Sequence, residues 1–248
     1  AHQLCTEIVA APRCEAERDA ARRMLPRLQH KLGLEPAARR EQFPVATVTL
    51  PVGEQGVERA AAELLAQTWS SVHYVANSLM NGLFGLAFWE QIFAPVPGVF
   101  HNPYQSIPSD MYAQAFRQRR REQLAERLRQ LGEVALPREL LSAWHRYYGY
   151  QCRWLHWRRL STGLLERALA VIPAEHLLAI WERMLFDPGE NRRGFPDLIA
   201  LGTAPGDYRL VEVKGPGDTL QDNQKRWLRF FLEQQIDAGV LKVEWRND

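Results

Sequence analysis

The chain is 248 residues long, 46% apolar and 24% charged, ordinary values for a folded protein that argue against intrinsic disorder. Its formal net charge of +2 permits an acidic polymer as partner without demanding one, and the bias of its cations towards arginine suits bidentate phosphate contacts as well as GC-rich coding. Three cysteines without metal-binding spacing suggest a reducing compartment, and no apolar run is long enough to span a bilayer, so an intracellular protein with no membrane partner is expected.

The chain starts at Ala1 rather than a methionine, already in helix-forming sequence, and reads as a fragment of a longer protein. His2 to Ala11 predicts a short helix. Cys14 to Lys31 predicts a longer one with an apolar stripe of Ala21, Met24, Leu25, Leu28 and Leu32, stopped by Gly33 and Pro36. Arg22, Arg23 and Arg27 lie mostly off that stripe and read as a solvated face. Phe43 to Pro51 is β-branched and alternating, which predicts a strand; Gly53 and Gly56 predict a turn, and Val57 to Trp69 a helix. In the run VHYVANSLMNGLFGLAFWEQIF, residues from Asn77 onward are apolar on nearly every face, the mark of a helix packed on all sides.

Proline and glycine end that run, and FHNPYQSIPSD follows as an irregular loop. Met111 to Leu131 predicts one long helix whose arginines (117, 119, 120, 121, 127 and 129) read as a solvated face. A helix from Pro137 is expected to run through WHRYYGYQCRWLHWRRL, with most rings in the core and Arg146, Arg153, Arg158 and Arg159 exposed. Ser161 to Met184 is helical with a break at Pro173, and Asp187-Pro188-Gly189 ends it.

The charges that stand out lie between Gly194 and Lys225. In Tyr208 to Lys214 side chains alternate between faces, so Glu212 and Lys214 share a face with Leu210 and Tyr208. Asp197 leads a short aliphatic strand, Leu198 to Leu201, that pairs with the second through a turn at 202–207. Two carboxylates then converge beside one ammonium. Asp197 and Glu212, with the Val213 backbone carbonyl as a third oxygen, suit one or two Mg²⁺ or Mn²⁺ ions. Such an ion polarises a phosphate and lowers the pKa of bound water. Lys214 would position or deprotonate that water, or stabilise charge on the phosphorus. The competing reading is a surface pair on a wet antiparallel ribbon. The aspartate at a strand start, the Gly215-Pro216-Gly217 exit and the helix that follows favour the site.

Thr219 to Asp222 has the form of a capping box. In the next helix Leu220, Gln224, Trp227, Leu228 and Phe231 fall on one stripe, so Gln224 is a core-facing amide that needs a partner, and the metal site offers one. Lys225, Arg226 and Arg229 lie off the stripe. With Arg192 and Arg193, just before Asp197, they are candidates for phosphate contacts. Leu241 to Trp245 alternates and predicts a returning strand. Helices to about residue 185, then strand, strand, helix and strand, make an α+β or α/β arrangement with a helical annex.

The P-D…E-V-K pattern resembles the PD-(D/E)xK nuclease superfamily. More narrowly, G-F-P-D-L followed by L-V-E-V-K-G-P-G-D-x-L resembles its VRR-NUC branch. N-S-L-M-N-G-L-F-G-L-A-F-W-E-Q-I-F and N-P-Y-Q-S are similar to the Fanconi anaemia-associated nucleases within it, and the resemblance covers roughly residues 57 to 245. It implies an α/β (α+β) nuclease core with a small mixed sheet, preceded by a largely helical region. It also implies a structure-specific DNA nuclease that cuts near 5′ flaps and digests 5′→3′ in interstrand crosslink repair, through Asp197, Glu212, the Val213 carbonyl and Lys214. Residues 1–40 would end an upstream helical, repeat-like region, 41–185 would be helical and contribute to the nuclease and DNA binding, and 186–248 would be the catalytic core.

One position departs. The family expects a further metal-ligand glutamate at the start of the buried helix, where this chain has Ala76. An alanine ligates no metal, so a weakened or inactive enzyme is expected, through deliberate replacement or natural change; the intact remaining motif positions favour the first. The alternatives are a Holliday-junction or restriction-type nuclease on the same core, or a DNA-binding module without activity. A purely structural helical scaffold would leave Asp197, Glu212 and Gln224 without a reason.

Overall fold

The computed structural model describes residues 1–34, 42–52 and 56–246; Pro36 and Gly53, expected to stop a helix and shape a turn, lie outside the described residues. The chain divides into two compact units, Ala1–Gln42 and Phe43–Asp248. In the first, α1 (His2–Ala10) packs on α2 (Glu15–Lys31). Gly33 follows at φ +65°, the left-handed conformation that commonly ends a helix. Of the predicted stripe, Ala21 is buried, whereas Met24 and Leu32 are exposed, since two helices enclose little apolar surface.

The second unit is built on one sheet: β1 (Val45–Pro51), β2 (Ser71–Tyr74), β3 (Leu198–Leu201), β4 (Tyr208–Lys214) and β5 (Ala238–Arg246). Their spatial order is β1-β5-β4-β3-β2, parallel across β1–β5–β4 and antiparallel across β4–β3–β2. The four strands read from the sequence are present. The fifth, β2, lies just ahead of the buried helix, in residues to which the sequence assigns no element. Its four residues form an edge strand whose pattern is too short to register alone.

Alternation along the strands supplies two apolar faces. Leu198, Val211, Val213, Leu241 and Val243 pack against Ala61 of α3 (Val57–Leu65). Ile199, Leu201, Tyr208, Leu210, Ala238 and Val240 join a larger core. That core is made with α4 (Ser78–Ala87), α5 (Trp89–Ile92), α6 (Gln114–Arg119), α7 (Arg121–Glu133), α8 (Leu136–Tyr147), α9 (Thr162–Val171), α10 (Ala174–Phe186) and α12 (Asp222–Glu233); the short α11 (Pro188–Asn191) leads into β3. Both faces of β4 are covered, so Glu212 is 1% exposed and Lys214 9%, which rules out the wet ribbon. Strands β1 and β2, upstream of residue 185, belong to the same sheet as β3, β4 and β5, and helix α3 packs on one face of it.

Two helix expectations need correction. Met111–Leu131 is not continuous: the chain kinks at Arg120, whose buried guanidinium turns inward to Asp110 at 2.9 Å. Other arginines of this stretch are also partnered within the protein, Arg127 to the Ala87 carbonyl and Glu139, Arg129 to Glu126 and Glu133. The helix from Leu136 stops at Tyr147 rather than continuing to Leu160, because Gly149 takes φ +84° and redirects the chain. Segment 148–160 then lies as an irregular strap whose Trp154 and Leu155 press on α4 at Gly85, where an added Cβ would meet them at 3.1 and 3.2 Å. Among the described residues no helix is long and apolar enough to cross a membrane.

Candidate active site

The loop before β3 is fixed by its contact with α12. Gly194 has φ +88°, and a Cβ there would lie 2.6 Å from the Asn223 carbonyl carbon, so only glycine lets the loop meet the first turn of α12. Phe195 stacks on Trp227 at 4.0 Å between centroids, and Trp227 Nε1 donates to the Arg193 carbonyl at 3.0 Å. Pinned this way, the chain enters β3 with Asp197 at its head.

The β3–β4 register pairs Leu198 with Val211; continued outward, it places Asp197 opposite Glu212 and Pro196 opposite Val213. Asp197 Oδ2 accepts from the Val213 N–H at 3.1 Å. The N–H and C=O of one strand residue point to the same neighbour. The Val213 carbonyl therefore faces the β3 side, where Pro196 has no N–H to offer it. Proline before the aspartate thus leaves that carbonyl as an oxygen donor at the site.

Glu212 Oε1 receives Lys214 Nζ at 2.7 Å and Gln224 Nε2 at 2.6 Å, while its buried Oε2 has no hydrogen-bond partner. The amide of Gln224 is oriented by a second bond: its Oε1 accepts from the Gln221 N–H at 2.9 Å, as the third residue of a capping box. The cap is thus Gln221 with Gln224, two residues on from the Thr219 start expected, because the helix begins at Asp222. One side chain both starts the helix and serves the carboxylate. Burial, then the charge of Asp197, pushes the Glu212 carboxyl up to about 7, against the pull of Lys214. Burial likewise raises Asp197, opposed by the Val213 N–H and Lys214. Two desolvated carboxylates, one with an unpartnered oxygen, beside a strand carbonyl form a donor set that fits a hard divalent cation.

Ala76 stands at the same place. Its N–H and that of Val75 donate to the Asp197 carbonyl at 2.9 and 2.8 Å, and its φ of +38° turns the chain from β2 into α4. A longer side chain here would start beside Asp197. Among the described residues no cluster of three His, Cys, Asp or Glu has metal-holding geometry, in keeping with two carboxylates and an alanine at position 76. The start of α4 also grips the loop: Asn77 Oδ1 accepts from the Phe195 N–H at 3.1 Å, and Asn81 Nδ2 donates to the Arg192 carbonyl at 3.0 Å. These asparagines were missed from sequence. Their i, i+4 spacing on an otherwise apolar helix was the available signal. Tyr74, the exposed end of β2, is a further neighbour; its hydroxyl is raised by burial and by Asp197, with Arg159 acting the other way.

The candidate phosphate contacts divide. Arg193 is exposed, and Lys225 is loosely paired with Asp222 at 3.6 Å. Arg192 is half-buried with its guanidinium 4.5 Å from the centre of the Tyr112 ring. Arg226, expected off the core-facing stripe, is buried and bonded to Glu190 at 2.8 Å, because α12 packs on more than one side.

Residues 132–245 match the VRR-NUC domain family. The Fanconi-associated nuclease 1 homolog of Pseudomonas aeruginosa is 43% identical over 252 residues, covering 100% of this chain and 45% of that protein. Fanconi-associated nuclease 1 of Danio rerio is 38% identical over 172 residues, 67% of this chain and 17% of that protein. The crystal structure of paFAN1 bound to 2nt 5′ flap DNA with gap matches with a TM-score of 0.85 at 42% identity, covering 100% of this chain and 46% of that one. The chain thus spans less than half the length of these relatives.

Proposed function

From the premise that this chain belongs to the Fanconi-associated nuclease family, with a VRR-NUC domain, we propose that it carries the catalytic part of a DNA nuclease hydrolysing phosphodiester bonds near 5′ flaps in interstrand crosslink repair. The observation that carries the reading is the cluster of Asp197, Glu212, Lys214 and Gln224 around the end of β4. Asp197, Glu212 and the Val213 carbonyl would hold Mg²⁺ or Mn²⁺, one or two ions. Such an ion supplies charge stabilisation at the phosphate and an acidified water.

The protein's own groups do the rest. Lys214, held on Glu212, presents an ammonium to the phosphate oxygens and orients the attacking water through a shared hydrogen bond. Gln224 donates to Glu212 Oε1 without adding a charge, which helps to hold the carboxylate in place. Arg192, Arg193 and Lys225 are assigned to phosphates flanking the cut. The crystallised relative's 5′ flap DNA supports the substrate class, and the place proposed for the chain is intracellular, beside DNA.

Cleavage mapping tests the reading: end-labelled 5′-flap and four-way DNA are incubated with the chain in Mn²⁺. Cuts near the flap that disappear in Asp197→Ala support it. Symmetric cuts in the four-way substrate would replace it with junction resolution, and tight, salt-sensitive binding without any cleavage in the chain or its Ala76→Glu form would replace it with a non-catalytic DNA-binding module.

A further inference from the structure

The loop after α5 and the strap after α8 build a second feature away from the carboxylates. A pocket of about 510 Å³ is lined by Trp89, Phe93, Phe100, Tyr104 and Tyr150, with Asn102 and Gln151 among its polar edges and no carboxylate. That volume is within the range of ordinary ligand pockets, roughly 300–1,000 Å³. Its floor is fixed: Trp89 stacks on Tyr147 at 4.3 Å and Phe93 on Phe100 at 6.0 Å. Its wall is stapled by the Asn-Pro-Tyr-Gln loop. Gln105 Nε2 donates to the Val99 and Ile107 carbonyls, both at 2.7 Å, and its Oε1 accepts from the His101 N–H; Asn102 Oδ1 accepts from the Tyr104 N–H.

That loop therefore has a rigid backbone, and what it presents is Tyr104, 81% exposed; across the pocket Tyr150 is 64% exposed. These are the two most exposed of the large rings in the described residues, and both stand at the mouth of an aromatic pocket. The strap that carries Tyr150 is bound to the loop, Arg153 N donating to the Ser106 carbonyl at 3.2 Å, and it adds Arg153, Arg158 and Arg159, all exposed and with no ion pair among the described residues.

Aromatic faces for stacking beside unpaired cations for phosphate are the two components of a single-strand nucleic-acid platform. Bases inside a duplex have their faces covered and cannot use it. Placement agrees: α4 (Ser78–Ala87) starts two residues after Ala76, which lies beside Asp197, and ends two residues before Trp89, a helix of roughly 15 Å at 1.5 Å per residue. Arg159, at the end of the strap, and Asp197 both act electrostatically on the Tyr74 hydroxyl, in opposite directions.

We propose that this pocket takes an unpaired base of single-stranded DNA, stacked on Tyr104 and Tyr150, with Arg153, Arg158 and Arg159 along the phosphates that lead to the cut. The proposal rests on the nuclease reading and deepens it: the site would select a substrate with an unpaired strand a few nucleotides from the scissile bond.

The test is equilibrium binding in EDTA of a blunt duplex and of the same duplex with a 5′ oligo-dT flap carrying 2-aminopurine at successive positions. The proteins are the parent chain, Tyr104→Ala/Tyr150→Ala and Tyr104→Phe/Tyr150→Phe. Expected are quenching of 2-aminopurine at one or two flap positions, a loss of flap affinity of roughly 10- to 100-fold in the alanine pair, and retention in the phenylalanine pair. Blunt-duplex affinity should be the same in all three. Unchanged flap affinity and quenching in the alanine pair overturn the pocket while leaving the nuclease reading intact. An equal loss on blunt duplex also overturns it, since the rings would then serve general binding. No DNA binding by the parent chain overturns both.

Discussion

Position 76 allows a prediction in which stability and activity move in opposite directions. In Ala76→Glu the new carboxylate would sit roughly 6 Å from that of Asp197, whose backbone carbonyl Ala76 already bonds at 2.9 Å. At an effective dielectric of about 20, two unit charges at that separation repel by about 3 kcal/mol, an upper bound that partial exposure of the position reduces to about 1–2 kcal/mol. The larger unit falls in the size range where 1 kcal/mol moves Tm by about 2–4 °C, so in EDTA the variant should melt several degrees below the parent. With Mn²⁺ the sign should reverse, because the third carboxylate then adds binding energy to the folded state alone. Cleavage of a 5′-flap substrate should rise at least tenfold, equivalent to about 1.4 kcal/mol of transition-state stabilisation. Differential scanning fluorimetry with and without Mn²⁺, together with single-turnover cleavage, reads both. An unchanged rate together with an identical Mn²⁺ shift in parent and variant would refute the placement of a missing ligand at residue 76.

Three other outcomes follow from the same geometry. Gly194→Ala puts a Cβ 2.6 Å from the Asn223 carbonyl carbon at a positive φ, and should cost more than about 2 kcal/mol in urea unfolding as well as activity. Gln224→Leu removes both the Glu212 bond and the helix cap, so about 1–3 kcal/mol of stability should be lost, while Gln224→Glu should keep the cap and lower Glu212 metal affinity least at high pH. The folded state holds the Glu212 proton up to about pH 7, the unfolded chain only to about 4.5. In EDTA the contribution of this group to stability is therefore full below about pH 4.5 and lost as pH rises through about 7, with a limiting slope of about 1.4 kcal/mol per unit. Glu212→Gln should remove that component of the slope in denaturation curves taken from pH 5 to 8; an unaltered slope would show that Glu212 is not the group responsible.

Much of the site was readable because strand alternation is strict. Placing Glu212 and Lys214 on one face needed only their spacing, and Gln224 stood out because an amide on a core-facing stripe must find a partner. The capping box falls two residues beyond Thr219, since threonine is the usual cap and the observed one is Gln221, bonded reciprocally with Gln224. What could not be read was set by tertiary contact. β2 exists because β3 offers it an edge, and the strap that follows Gly149 lies across α4 where Gly85 and Gly82 leave room for Trp154, Leu155 and Leu160. Arg120 and Arg226 read as surface cations and are interior ones, bonded to Asp110 and Glu190 respectively. Arginine counts alone do not distinguish a phosphate-binding face from a set of internal tethers.

The placement of β1 beside β5 has a consequence for synthesis. A strand made near the start of the unit pairs in parallel with the last one, Val45 with Val240 through Pro51 with Arg246, and β5 is also the support of β4. Pairings of this sequence separation are among the slow steps of folding, because loop closure precedes the contacts that repay it. A chain still leaving the ribosome holds Ala76 and its helix long before the strand bearing Glu212 has a neighbour on that side. The strand bearing Glu212 therefore gains its β5 neighbour only after residues 238–242 have been made.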